Sequence, residues 1–244
     1  MAIRSVVLAL GSILVAACGH VSKADDVDDG GGGGGGGGSV EPGDGGDDGA
    51  ADIDLIDDLE DGDGDIPARG GRTGSWFITS DTSGEVTPPV DGFVPTAGGA
   101  GGSEWCAGMS GSGFTGWGVH MGAFFDHERG EDPAPYDVGG HEGVAFRARG
   151  DTDIRVSLST VQATSVEQRS GSCEPTEDTP CGDYHGWPAT LTSDWQDYML
   201  PLSGIDQEGW GVQVPFDPAS VNALRFQVAG EAAFDLCVDD VRFY

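Results

Sequence analysis

Leu224-Arg225-Phe226-Gln227-Val228 places an apolar side chain at every second position, with a base and an amide between them. Successive side chains of a strand point to opposite faces, so this period of two predicts a strand with one face in a core and one in water. The same period recurs on both sides. Ile154, Val156 and Leu158 alternate with Arg155, Ser157 and Ser159; Phe234, Leu236 and Val238 alternate with Asp235, Cys237 and Asp239. Val144, Phe146 and Ala148 share a face within Gly143 to Ala148, and Gly116 to Phe124 sets Trp117, Val119, Met121 and Ala123 together. Shorter candidates are Ile53 to Leu59, Ser75 to Thr79 and Trp195 to Leu200. Clusters of Gly, Pro, Asp and Ser separate them, as turns require. No stretch carries an amphipathic helix of three turns; Asp217 to Val221 suits one helical turn. The span 53–244, about 190 residues, is long enough for one well-buried core. Many short half-buried strands predict an all-β domain, and their uneven lengths favour an antiparallel β-sandwich over a closed barrel.

The chain before this domain has a different character. Arg4 is its only charge up to Ala17, and Val6 to Leu14 is apolar apart from Gly11 and Ser12. Such a run is too short to span a bilayer, which takes about 20 apolar residues, and it has the order of a signal peptide. Val15-Ala16-Ala17-Cys18 resembles a lipobox, which makes residues 1–17 a lipoprotein signal and Cys18 the lipidated N-terminus. An ordinary secretory signal is the other reading, and both export the chain. Gly19 after Cys18 resembles lipoproteins sent on to the outer membrane or cell surface. Residues 18–52 hold nine consecutive glycines, Gly30 to Gly38, many carboxylates and Lys23 as the one base. That composition cannot bury enough apolar surface to fold. It predicts a disordered leash with a span on the order of 30 Å.

The full chain carries a net charge of −31. Loss of residues 1–17 removes Arg4 alone among charged residues, so the mature chain stands at −32. This field repels phosphate backbones and excludes nucleic acid as a partner. It also attracts divalent cations. Membrane contact is expected through the lipid only.

Four cysteines remain beyond Cys18: Cys106, Cys173, Cys181 and Cys237. An even count in an exported chain implies disulfides, with three connectivities open. Cys173 and Cys181 bracket Glu-Pro-Thr-Glu-Asp-Thr-Pro, a turn-rich loop that can close on itself. Cys106 then pairs with Cys237 by elimination.

Acidic residues crowd both ends of the domain, in Asp57 to Asp65 and in Asp239-Asp240. An EF-hand does not fit Asp61-x-Asp63-x-Asp65, because Ile66 stands where its glycine belongs and Arg72 where its last glutamate does. Leu55-Ile56-Asp57-Asp58-Leu59-Glu60-Asp61-Gly62-Asp63 resembles the opening of the family 11 carbohydrate-binding modules and the wider galactose-binding-domain-like sandwiches. So does the closing Phe234-Asp235-Leu236-Cys237-Val238-Asp239-Asp240-Val241-Arg242-Phe243, and Thr192 to Tyr198 resembles a strand after a turn in the same family. The resemblance implies a jelly roll. It also implies a structural calcium held by Glu60 and Asp239, with Asp58 and Asp240 as neighbours. Solvated carboxylates in an acidic protein are the competing reading.

The resemblance further implies a polysaccharide or glycan ligand. Sugar binding needs aromatic faces and polar groups matched to hydroxyls. Arg155, Ser157, Arg225, Gln227 and His120 lie on the polar phase of their strands, and Tyr136, Tyr184, His185, Trp187 and Trp210 fall in expected loops. The ligand set drawn from these is Arg155, Arg225, Gln227, Tyr184, His185, Trp187 and Trp210. Arginines paired to carboxylates on a wet face are the other reading, and a core role is expected for Trp76, Trp117 and Trp195. No GxSxG elbow, HExxH or P-loop occurs, so a non-catalytic binding protein is expected. A surface protein as partner, or a hydrolase of another type, are the alternatives.

Overall fold

The computed structural model describes residues 54–90, 92–127, 132–168 and 170–244. Residues 1–17, Cys18 and the leash to residue 52 lie outside the described residues. Twelve strands run in chain order: β1 (Leu55–Asp57), β2 (Trp76–Ser80), β3 (Glu85–Thr87), β4 (Thr96–Ala97), β5 (Trp105–Ser112), β6 (Val119–Phe124), β7 (Gly143–Gly150), β8 (Asp153–Thr160), β9 (His185–Thr190), β10 (Gln196–Pro201), β11 (Val221–Val228) and β12 (Phe234–Phe243). Three single 3-10 turns complete the described structure, one of them at Pro218–Ser220, where the sequence suits a helical turn.

The strands form two antiparallel sheets, an all-β sandwich as the alternation predicts. One sheet has the order β10-β7-β12-β5-β3, with β1 beside β12 and β4 beside β5; the other runs β2-β6-β11-β8-β9. Leu224, Phe226 and Val228 are buried, facing inward with Val156, Leu158, Met121 and Trp76. Phe146, from β7 of the opposite sheet, meets Phe226 edge-on with ring centres 5.1 Å apart. Trp76 stacks against Phe226 at 6.3 Å. Interdigitation of this kind closes a sandwich core.

The first and last strands sit side by side. Leu55 pairs with Arg242 and Asp57 with Val241, while the earlier half of β12, Phe234 to Val238, pairs with β5. Where β12 changes neighbour from β5 to β1, its register against β7 on the other side slips between Asp239 and Arg242. Asp240 there has φ 51°, a left-handed conformation that Asp tolerates better than most residues. Both disulfides form as expected: Cys106–Cys237 joins β5 to β12, and Cys173–Cys181 closes its own loop.

Three sequence expectations change. Trp117 is 44% exposed and not in the core, because Gly118 at φ 95° breaks the phase before β6 begins. Trp195 is half-buried against Arg149, whose guanidinium carbon lies 5.4 Å from its ring centre. Trp187, expected in a loop, lies in β9 and is only 6% exposed. No helix among the described residues is long and apolar enough to cross a membrane.

Candidate functional site

The register brings the expected polar residues onto one surface. Arg225 pairs with Ser157 and Gln227 with Arg155 across β11 and β8; Gln227 also pairs with His120, and Arg225 with Gly122, across β11 and β6. Phe77 and Thr79 of β2 lie opposite Gly122 and His120. All therefore share the outer face of the five-stranded sheet. Gly122 leaves room there: a Cβ would run into the Phe77 ring and the Leu224 carbonyl.

Arg225 is the centre of this face. Its guanidinium lies 5.0 Å from the Phe77 ring centre and 4.8 Å from that of Tyr184. Its Nη1 donates to His120 Nε2. Burial and the adjacent cation hold the His120 imidazole well below its usual pKa, so the ring is neutral and free to accept. Phe77 stacks on Phe124 with ring centres 4.3 Å apart, and His127 follows at 5.0 Å from Phe124. A groove of about 380 Å³ lies on one side of this aromatic row, lined by Phe124, His127, Asn222 and Arg225 among others. A second, of about 360 Å³, lies on the other side, lined by Phe77, Phe93, Phe124 and His127 among others.

Arg155 is tied down: its Nη2 donates to the carbonyls of Asp206 at 2.7 Å and Tyr184 at 3.2 Å, and Nη1 lies 3.9 Å from Glu208. Gln227 Nε2 donates to the Trp117 carbonyl at 2.7 Å. Trp210 is exposed, its Nε1 donating to Glu208. His185 and Trp187 turn inward. Trp187 Nε1 donates to the Pro201 carbonyl at 3.0 Å, and His185 is buried with its ring 5.3 Å from Phe216. In this structure neither reaches the outer face. Tyr136 is also elsewhere, its hydroxyl accepting from buried Arg72 at 2.9 Å.

Sequence reasoning did not single out Phe77, Phe124 and His127. The first two stand in the polar phase of β2 and β6 although they are aromatic. An aromatic in the water-facing phase is the signal that was available.

The acidic ends meet at a different place, beside the slip in β12. Glu60 Oε1 accepts from Ser103 Oγ at 2.5 Å and from the Trp105 amide at 3.2 Å. Asp239 is buried, and its Oδ2 accepts from the Ala100 amide at 2.7 Å. A side chain at Gly99 would collide with Asp239 Oδ2, Ser103 Oγ and the Trp105 carbonyl. Glu60 and Asp239 thus approach one oxygen-lined cradle, joined by a hydroxyl and a carbonyl. Those are donors that fit calcium. Asp240 instead lies 3.7 Å from Arg147, and Asp58 accepts from the Glu60 amide. Among the described residues no three carboxylate, imidazole or thiolate side chains come together as a ligand set. Nearby, burial pushes the Asp57 carboxyl up to about 7, while Trp76 Nε1 donates to it at 2.7 Å.

No family model matches the sequence, and no curated protein matches it. Solved structures do. The chain is similar to the family 11 carbohydrate-binding module of a Clostridium thermocellum cellulase, at 14% identity and TM-score 0.46, over 69% of this chain and 86% of that one. A C. thermocellum family 11 module solved with a β-1,3-1,4-mixed-linked tetrasaccharide gives 14% identity and TM-score 0.45, covering 69% and 87%. The family 30 module of a C. thermocellum cellulosomal cellulase gives 16% and 0.47, covering 69% and 90%.

Proposed function

We propose that this protein is a non-catalytic, surface-displayed carbohydrate-binding lipoprotein whose ligand lies across the outer face of the five-stranded sheet. The observation that carries this reading is the Phe77–Phe124 pair, set in the water-facing phase between two grooves and beside a ring-clamped arginine. Sugar rings stack on aromatic faces through their C–H groups, and fixed donors and acceptors choose among hydroxyls. Phe77 and Phe124 supply the first; Arg225 and Gln227 the second. Exposed Trp210 stands farther along the chain as a further stacking surface.

In this reading Cys18 carries the lipid and residues 19–52 set the reach, so the sandwich samples glycans away from the membrane. The two disulfides accord with folding in an oxidising compartment. Calcium, held by Glu60 and Asp239 with Ser103 and the Trp105 carbonyl, ties the start of the domain to β12 and takes no part in recognition.

The test is a glycan array probed with the full chain, Cys18→Ser to remove the lipid. A sugar-selective signal that falls about tenfold or more in Phe124→Ala, with the melting temperature little changed, supports the proposal. Silence across the array, or binding indifferent to Phe124, rejects it.

A further inference from the structure

Among the described residues, three polar atoms that line one groove are buried without a partner: Arg225 Nε, Asn222 Oδ1 and His127 Nδ1. Buried polar groups are almost always satisfied, so three orphans in one groove point to something that satisfies them. Asn222 and Arg225 are 3% and 8% exposed, so bulk water does little of that work.

The charge is the informative part. Arg147 and Arg155 each lie within 4 Å of a carboxylate, as expected where acids outnumber bases 42 to 11. Arg225 has none among the described residues. It is held between two rings, and its one polar partner is a neutral imidazole. A buried cation left uncompensated is costly to a fold, and truncation of its anionic partner is what normally produces that state. A planar guanidinium with idle N–H groups matches a carboxylate through two parallel hydrogen bonds.

Resting on the carbohydrate reading above, we infer that this groove takes an acidic sugar, a uronate. Its carboxylate lies on Arg225, and its hydroxyls meet Asn222 Oδ1 and His127. Phe124 forms the wall against which the ring packs. Glu167, the acidic side chain among the described residues on the rim, is exposed, so water screens its repulsion. The overall negative charge acts against long polyanions, so the fitting ligand carries isolated uronates in a neutral chain.

The experiment follows the Arg225 Nε–H resonance of the full chain, Cys18→Ser, by NMR. The probes are sodium glucuronate and galacturonate, then glucose and galactose, then sodium acetate, all at constant ionic strength. A uronate is expected to bind 10- to 100-fold more tightly than its neutral counterpart, the range for losing a hydrogen bond to a charged group. Arg225→Gln is expected to remove that preference, and the sugar series decides the matter even where that variant does not fold. Neutral sugars binding as well as uronates would overturn the inference and leave the carbohydrate reading standing. Acetate binding as tightly as a uronate overturns it in favour of a bare anion site. No response to any probe overturns it too, and the glycan array then decides the wider reading alone.

Discussion

Removing the Cys106–Cys237 disulfide is expected to cost about twice what removing Cys173–Cys181 costs. The two bonds close segments of very different length, with sequence separations of 131 and 8. In the loop-entropy account, stabilisation grows with the logarithm of that length, giving about 5 kcal/mol for the first and about 2.5 kcal/mol for the second. Against the usual 5–15 kcal/mol of a whole domain, roughly 5 kcal/mol brings the fold near its limit. The assay is urea unfolding followed by tryptophan fluorescence, comparing wild type with the paired variants Cys106→Ala/Cys237→Ala and Cys173→Ala/Cys181→Ala. Cys106 and Cys237 are buried, so alanine there also leaves a small void, a cost in the same direction. Chemically reduced wild type, which keeps both sulfurs, separates the two contributions. If the Cys106/Cys237 variant loses no more stability than the other, the strands it joins are held by packing alone and the reasoning fails.

Other perturbations separate core from site. Trp187→Ala removes a buried ring and is expected to cost about 3–5 kcal/mol, read as a fall in urea midpoint; a shift no larger than that of an exposed residue places the ring outside the core. Adding a chelator lowers the melting temperature if Glu60 and Asp239 hold calcium, and Asp239→Asn abolishes that sensitivity; an identical melt with and without chelator rejects the metal. His120 gives a pH signature. Its folded pKa lies well below the unfolded value near 6.5, so the unfolded chain takes up the proton first as pH falls. Its contribution to stability is present above about 6.5 and declines below it, by up to about 1.4 kcal/mol per pH unit. Asp57, raised to about 7, acts with the opposite sign between about pH 4 and 7. The measurement is therefore the difference between wild type and His120→Gln across pH 5 to 7, and a difference independent of pH refutes it.

The strands with clean alternation, β8, β11 and β12, were legible because each has one dry face and one wet one. β5 was not, although it lies between β12 and β3 inside its sheet. Its sequence Trp-Cys-Ala-Gly-Met-Ser-Gly-Ser is small where neighbours come close: a Cβ on Gly108 would strike Thr96, and one on Gly111 the Glu85 carbonyl. Crowding by adjacent chain replaced the hydrophobic signal. β9 reads as a turn because Gly186 and Pro188 flank Trp187. A proline that cannot donate is tolerated there since β9 is an edge strand with Arg155 its neighbour on one side only. Of the site, the polar rows of β8 and β11 could be placed on one face from their phase alone. That Arg225 has no acid beside it among the described residues, whereas Arg147 does, is a matter of tertiary neighbours and could not be read.

The pairing of β1 with β12 brings the Phe243 amide to the Asp54 carbonyl, at 2.8 Å. The two ends of the sandwich therefore meet, and a few residues suffice to splice them. A permuted chain, spliced there and reopened in the exposed loop between Cys173 and Cys181, keeps every strand neighbour. It also carries the chain ends from the seam between β1 and β12 to the loop closed by Cys173–Cys181, so the point at which a fused partner leaves the sandwich becomes something an engineer can choose.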